Sequence, residues 1–290
     1  MTKDVETAGA SGGAAARGGP SRGARRRRQA WQAMRTELLR TFTAWGTLRL
    51  LFLAFAPALI VAAHASERHH CRLDEETLVL AGIIQLYYVR VGVFFGCLGI
   101  FVRLVRGELA ERTLHYAFLA PVRREVLVVG KFLAGALTTT VVFGAGILAS
   151  FVLTYAHSAS GRDFVLHGPG LPHLRAYLLV AVLACLGYGA VFLALSLLLK
   201  NPVVPAVVVF FWEGINGALP VWLKRLSVTY YLKPLFPVEL PVPGLLGLFT
   251  VVAEPTPPWL AVCGLLAFVA LVVAFACWRI RRLEVLYSSD

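Results

Sequence analysis

The chain has 290 residues, is 58% hydrophobic and 15% charged, and has a mean hydropathy of +0.71. A soluble domain is nearer half apolar and about a quarter charged, so this composition excludes an ordinary water-soluble globular protein. The net charge of +12 does not point to nucleic acid, because much of it stands at the ends of apolar runs, where it orients a membrane protein.

Residues 1–28 are built largely from Ala, Gly, Thr, Ser and Arg and close on Arg25-Arg26-Arg27-Arg28. Such a segment has nothing to bury and reads as a disordered basic cytoplasmic tail. In 29–44 the pattern changes. Trp31, Met34, Leu38 and Phe42 recur at three- and four-residue steps, while Arg35, Glu37 and Arg40 take other faces. That spacing predicts an amphipathic helix lying in the headgroup plane.

Six apolar segments follow, at 45–63, 78–102, 126–155, 176–199, 202–220 and 259–278. Each has the roughly 20 residues needed to cross a bilayer. Lys200-Asn201-Pro202 marks a turn between the fourth and fifth. The first segment resembles a signal peptide in following positive charge, but a 44-residue leader and so long an apolar run are outside that class, so it reads as an uncleaved span. The expected fold is an all-α integral membrane protein: a six-span transmembrane domain over 45–278, then a cytoplasmic tail over 279–290. With the N-terminus inside, the inside segments carry 18 basic residues and the outside segments 6. This bias puts both termini in the cytoplasm of a multi-pass inner-membrane protein.

The chain shows no catalytic signature. Gly130-Lys131 resembles the end of a phosphate-binding loop, but Glu125 stands where its first Gly belongs and Phe132 follows the Lys. Any energy for transport comes from another chain or an ion gradient. His64, Glu67, His69, His70 and Cys71 form an outside loop rich in metal-ligating types, read as a wet polar loop without a second supporting cluster. Four of the five cysteines sit in apolar runs without C-x-x-C spacing and read as free thiols.

Two intramembrane charges stand out. At ~1.5 Å per residue, Arg90 and Glu213 lie ~18 Å and ~16 Å from the cytoplasmic ends of their spans, so both are near mid-membrane. A charge there costs at least ~2.5 kcal/mol unless it finds a partner or a wet cavity. Two arrangements are open. Either they pair across the second and fifth spans and border a translocation route, with Gln85 and Asn216 as polar neighbours, or hydroxyls, backbone carbonyls or water satisfy each one locally.

The connection between the second and third spans runs Arg106-Gly107-Glu108-Leu109-Ala110-Glu111-Arg112-Thr113-Leu114-His115-Tyr116-Ala117-Phe118-Leu119-Ala120-Pro121 and on through Arg124 to Gly130-Lys131. Leu109, Leu114, Phe118 and Leu119 make an apolar stripe beside charged positions, and Pro121 ends the predicted cytoplasmic helix. A helix joined rigidly to two spans can carry force from a soluble partner into the membrane.

This stretch resembles the signature of ABC-2-type permeases: an acidic residue before Thr-Leu, a Pro-x-x-Arg, then Gly-Lys opening the next span. The matching residues are Glu108 or Glu111, Thr113, Leu114, Pro121, Arg124, Gly130 and Lys131. The segment Leu223–Leu232 with Pro234 and Pro237 is also similar to the outside region before the last span in some members. Arg112 departs from the pattern, since many members have Gly there. The resemblance implies a six-span exporter subunit pairing with a second permease copy or homologue and two ATPase subunits. ATP and Mg²⁺ would be bound on the ATPases, with no cofactor on this chain. It implies further that 106–124 is a coupling helix, touching the ATPase through Glu108, Glu111, Arg112, Thr113, Leu114, His115, Phe118, Pro121 and Arg124. The competing reading of the same hydropathy is a secondary transporter not driven by ATP, although no three-plus-three internal repeat is found.

Overall fold

The computed structural model describes residues 45–66, 72–110, 124–199, 201–215, 219–240 and 257–281. Among them every regular element is helical. Helix α1 (Trp45–Ser66) contains Pro57. Helix α2 (Leu73–Gly82) runs directly into a π-helical segment, Ile83–Val93, and then into α3 (Phe94–Ala110). Next come α4 (Arg124–Ala156), the short α5 (Ala159–Leu166), α6 (Gly170–Leu198) and α7 (Val203–Gly214). Two further short helices follow, α8 (Val221–Lys224) and α9 (Val228–Leu232), the second continued by a 3-10 turn at Lys233–Leu235. Helix α10 (Pro258–Arg281) closes the described chain.

Four stretches are long and apolar enough to cross a bilayer: Leu73–Gly107, Glu125–Ala156, Gly170–Leu198 and Pro258–Arg281. They fall on the second, third, fourth and sixth expected spans. Two shorter apolar helices, Leu48–Ala63 and Val203–Gly214, fall on the first and fifth. The fifth differs from the expectation of one helix over 202–220. It stops at Gly214, where helix propensity is low, and its 12 residues rise only ~18 Å. The expected tail 1–28 and interfacial helix 29–44 lie outside the described residues, and α10 continues to Arg281, past the expected start of the C-terminal tail.

Helix α6 is the centre of the bundle, packing against α3, α4 and α10, and α1 lies along α4. Small residues set these distances. A side chain at Gly146 would strike the carbonyl of Ala54, so its absence lets α1 and α4 approach backbone to backbone. The buried Tyr88 hydroxyl donates to that same Ala54 carbonyl at 2.8 Å and shares a hydrogen bond with Ser150 Oγ at 3.0 Å, which ties three helices at one point. The Phe101 ring fills the space left by Gly135 on α4 and Gly189 on α6. Buried hydroxyls bond back along their own helices, as Thr138 does to Ala134 O at 2.9 Å and Ser196 to Phe192 O at 2.7 Å. In hydrocarbon that arrangement satisfies these two O–H groups. Phe52, Leu59, Val204, Phe211 and Leu271 are exposed, as lipid-facing positions are.

Candidate functional site

Arg90 and Gln85 both lie in the π-helical segment. In an i→i+5 ladder residues five apart stack on successive turns, so the two share a face that an α-helix would divide by more than a third of a turn. Gln85 Nε2 donates to the carbonyl of Val238 at 2.8 Å. Arg90 Nη2 donates to the carbonyls of Glu213 and Gly214, each at 3.4 Å. Those carbonyls belong to the last turn of α7, where the helix leaves acceptors unpaired and its dipole favours a cation.

Glu213 points the other way. Its buried carboxylate accepts Ser227 Oγ at 2.7 Å, the Val228 N–H at 2.9 Å and the Thr229 N–H at 3.1 Å. These are the first N–H groups of α9, so a glutamate from one helix caps the start of another. Tyr188 on α6 shares a hydrogen bond with Thr229 Oγ1 at 3.1 Å, and Val228 and Leu232 are buried. Arg90 and Glu213 are brought together in the structure, as both arrangements open from sequence allow, and the Glu213 carboxylate also has partners on α9. Arg90 donates to the carbonyl end of α7, and the Glu213 carboxylate accepts from the amide end of α9.

The stretch 221–240, expected from sequence as an outside connection, packs into the helix bundle. A side chain at Gly187 would meet Val228, and one at Gly264 would meet the Tyr231 ring, so α9 is wedged between α6 and α10. Burial, and the positive charges of Arg90 and Lys224, hold the Lys233 ammonium below its usual range against the opposing pull of Glu239.

Arg90, Phe94, Tyr188, Phe210 and Glu213 line a cavity of about 270 Å³. Phe94 packs edge-on against Phe192 at 4.9 Å between centroids and against Tyr188 and Phe210 at 5.2 Å. The result is a stiff aromatic wall carrying one cation and one anion at its edge. Asn216, expected beside them, lies outside the described residues.

Near the connection between α3 and α4, buried Lys131 on α4 donates to the carbonyl of Leu104 on α3 at 2.6 Å. The Lys of the Gly-Lys pair thus clasps the two helices that flank the expected coupling segment. Glu125 at the start of α4 also meets Arg281 at the end of α10, at 2.6 Å. Glu108 falls in α3 and Arg124 opens α4. Glu111, Arg112, Thr113, Leu114, His115, Phe118 and Pro121 lie outside the described residues. The site partners not anticipated are Ser227, Val228, Thr229 and Tyr188. Ser227 before an apolar run is a recognisable helix-start signal, but nothing in the sequence says which carboxylate would meet it.

Four helices long and apolar enough to cross a bilayer, with large apolar side chains exposed on them, define a multi-pass α-helical membrane protein. The family model described as ABC-2 family transporter protein matches residues 34–224, and the chain belongs to that family. A search of curated proteins finds no match.

Proposed function

We propose that the chain is the membrane-spanning permease subunit of an ABC-2-type exporter, with transport powered by ATP hydrolysis on separate cytoplasmic ATPase subunits. The observation that carries this reading is the family match over 34–224, which takes in the segment between α3 and α4 with its Thr-Leu, Pro-x-x-Arg and Gly-Lys elements. In this reading the chain carries no catalytic site and binds no cofactor, and ATP and Mg²⁺ belong to the ATPases. It crosses the cell membrane six times, α1 and α7 with their neighbouring residues completing the shorter crossings, and both termini are cytoplasmic. Two permease copies and two ATPases make the working complex. Substrate passes between the copies, past the π-helical segment and α7, where Arg90 and Glu213 border the route.

The 106–124 segment is the coupling helix, with Leu114 and Phe118 seated in the ATPase. Removing a central apolar anchor at an interface typically costs about 2 kcal/mol or more. Leu114→Ala and Phe118→Ala should therefore weaken co-purification of the ATPase while the permease still inserts. Unchanged association and transport in both variants would remove the coupling role. Transport that persists without any ATPase would favour the secondary-transporter reading. Single-cysteine labelling of intact cells should reach 156–175 and spare 110–120, and the reverse pattern would overturn the topology.

A further inference from the structure

A second cavity, of about 430 Å³, opens between α1 and α3 and shares no lining residue with the cavity at Arg90. It has a polar end and an apolar end. Arg49 and Arg103 supply the first, and Leu50, Leu53, Phe95 and Ile100 line the second. Both arginines are exposed, and among the described residues neither guanidinium has a hydrogen-bond or ion-pair partner. The floor is opened by glycine. A side chain at Gly96 would collide with Phe143, so that glycine serves helix packing. Gly99 is different: a Cβ there meets nothing within 4 Å, and its missing side chain leaves open space in the slot.

We propose that this slot holds an anionic phospholipid, its phosphate between Arg49 and Arg103 and the upper part of one acyl chain along Leu53 and Ile100. Charge complementarity selects the occupant. A bare cation pair at the edge of hydrocarbon is costly, and basic pockets between membrane helices take anionic head groups. Arg49 also stands in the first turns of α1 and Arg103 toward the last turns of α3, so both guanidinium groups reach headgroup level while the apolar walls extend inward. A soluble phosphate would satisfy the arginines but leave those walls unfilled. The volume falls in the range of ligand sites, roughly 300–1,000 Å³. The proposal rests only on the chain residing in a bilayer, so loss of ATPase coupling would leave it standing.

The test reconstitutes the full chain in vesicles of equal parts phosphatidylcholine and phosphatidylglycerol, extracts it gently, and reads retained lipid by native mass spectrometry. The wild-type chain should keep phosphatidylglycerol in preference. Arg49→Gln with Arg103→Gln should lower that preference about twenty-five-fold, at about fivefold for each arginine near the membrane surface. Gly99→Leu keeps both charges, fills the slot and should also expel the lipid. Gly82→Leu, a substitution into space equally open but outside the slot, should retain it. Preference that survives either the double Gln variant or Gly99→Leu would overturn the proposal. So would displacement of the lipid by inorganic phosphate, which would mark a soluble-anion site.

Discussion

Tyr87 donates its hydroxyl to the carbonyl of Leu53 at 2.9 Å, and that carbonyl is the one Pro57 deprives of its helical partner. A proline has no N–H, so the acceptor four residues earlier is left open. In water a solvent molecule would fill it, but in a bilayer another part of the protein must. Tyr87→Phe should therefore cost stability, about 1 kcal/mol on the scale of side-chain hydrogen bonds between membrane helices. In a Pro57→Ala background the restored N–H satisfies Leu53, and the same substitution should cost clearly less. Thermal unfolding in detergent reads this cycle. Equal costs in both backgrounds would show that the Tyr87 ring matters only through packing.

The cap on α9 makes a second prediction. Glu213→Leu orphans the N–H groups of Val228 and Thr229, at about 1–3 kcal/mol each. Ser227→Ala removes one hydroxyl donor and should cost less. The charge swap is more telling. Arg90→Glu aims an anion at the carbonyl end of α7, and Glu213→Arg aims a cation at the amide end of α9, so both oppose the helix dipoles. The double swap should be at least as defective in folding and transport as the worse single variant. Partial recovery would mean that the two side chains act as a direct pair.

Gly146 and Gly144 differ by half a turn and should respond in opposite ways. A methyl at Gly146 strikes the Ala54 carbonyl, a main-chain atom that cannot rotate aside. Gly146→Ala must push α1 from α4, and overpacking of this kind costs about 1–3 kcal/mol. At Gly144 the nearest atom is Leu178 Cδ2 at 3.8 Å, an ordinary contact. Gly144→Ala should be neutral or stabilising by up to about 1 kcal/mol, the helix-propensity difference. A chemical-denaturation series on the two variants checks the ordering, and similar losses in both would overturn it.

Hydropathy located the long helices because a run of some 20 apolar residues has few other uses. Helix α6 still begins earlier than expected, at Gly170, since Pro172 is tolerated in a first turn. The π-helical segment was not legible. Ile83–Val93 is an apolar stretch with no proline to mark a change of helix type, and Tyr87 and Tyr88 on it bond to α1 carbonyls. Depth along the chain put Arg90 and Glu213 together, but the direction of each side chain depended on where α9 lay. That placement is set by glycines at 187 and 264, whose meaning emerges only against Val228 and Tyr231.

Lys131 carries the last prediction, because its position separates stability from coupling. A buried ammonium is expensive to desolvate, and replacing a buried charge with an apolar side chain of similar volume is often neutral or better for stability. Lys131→Met keeps the aliphatic stem and removes the bond to Leu104 O that ties α4 to α3 beside the proposed coupling segment. If that bond serves chiefly to hold the flanking helices in register, thermal stability should change little. ATP hydrolysis by the assembled complex should meanwhile lose much of its link to transport. Lys131→Arg retains a donor and should keep part of the coupling. Measuring unfolding temperature, ATPase co-purification and transport on both variants distinguishes the cases. Strong destabilisation with the ATP-to-transport ratio intact would mean that the clasp stabilises the bundle and transmits nothing.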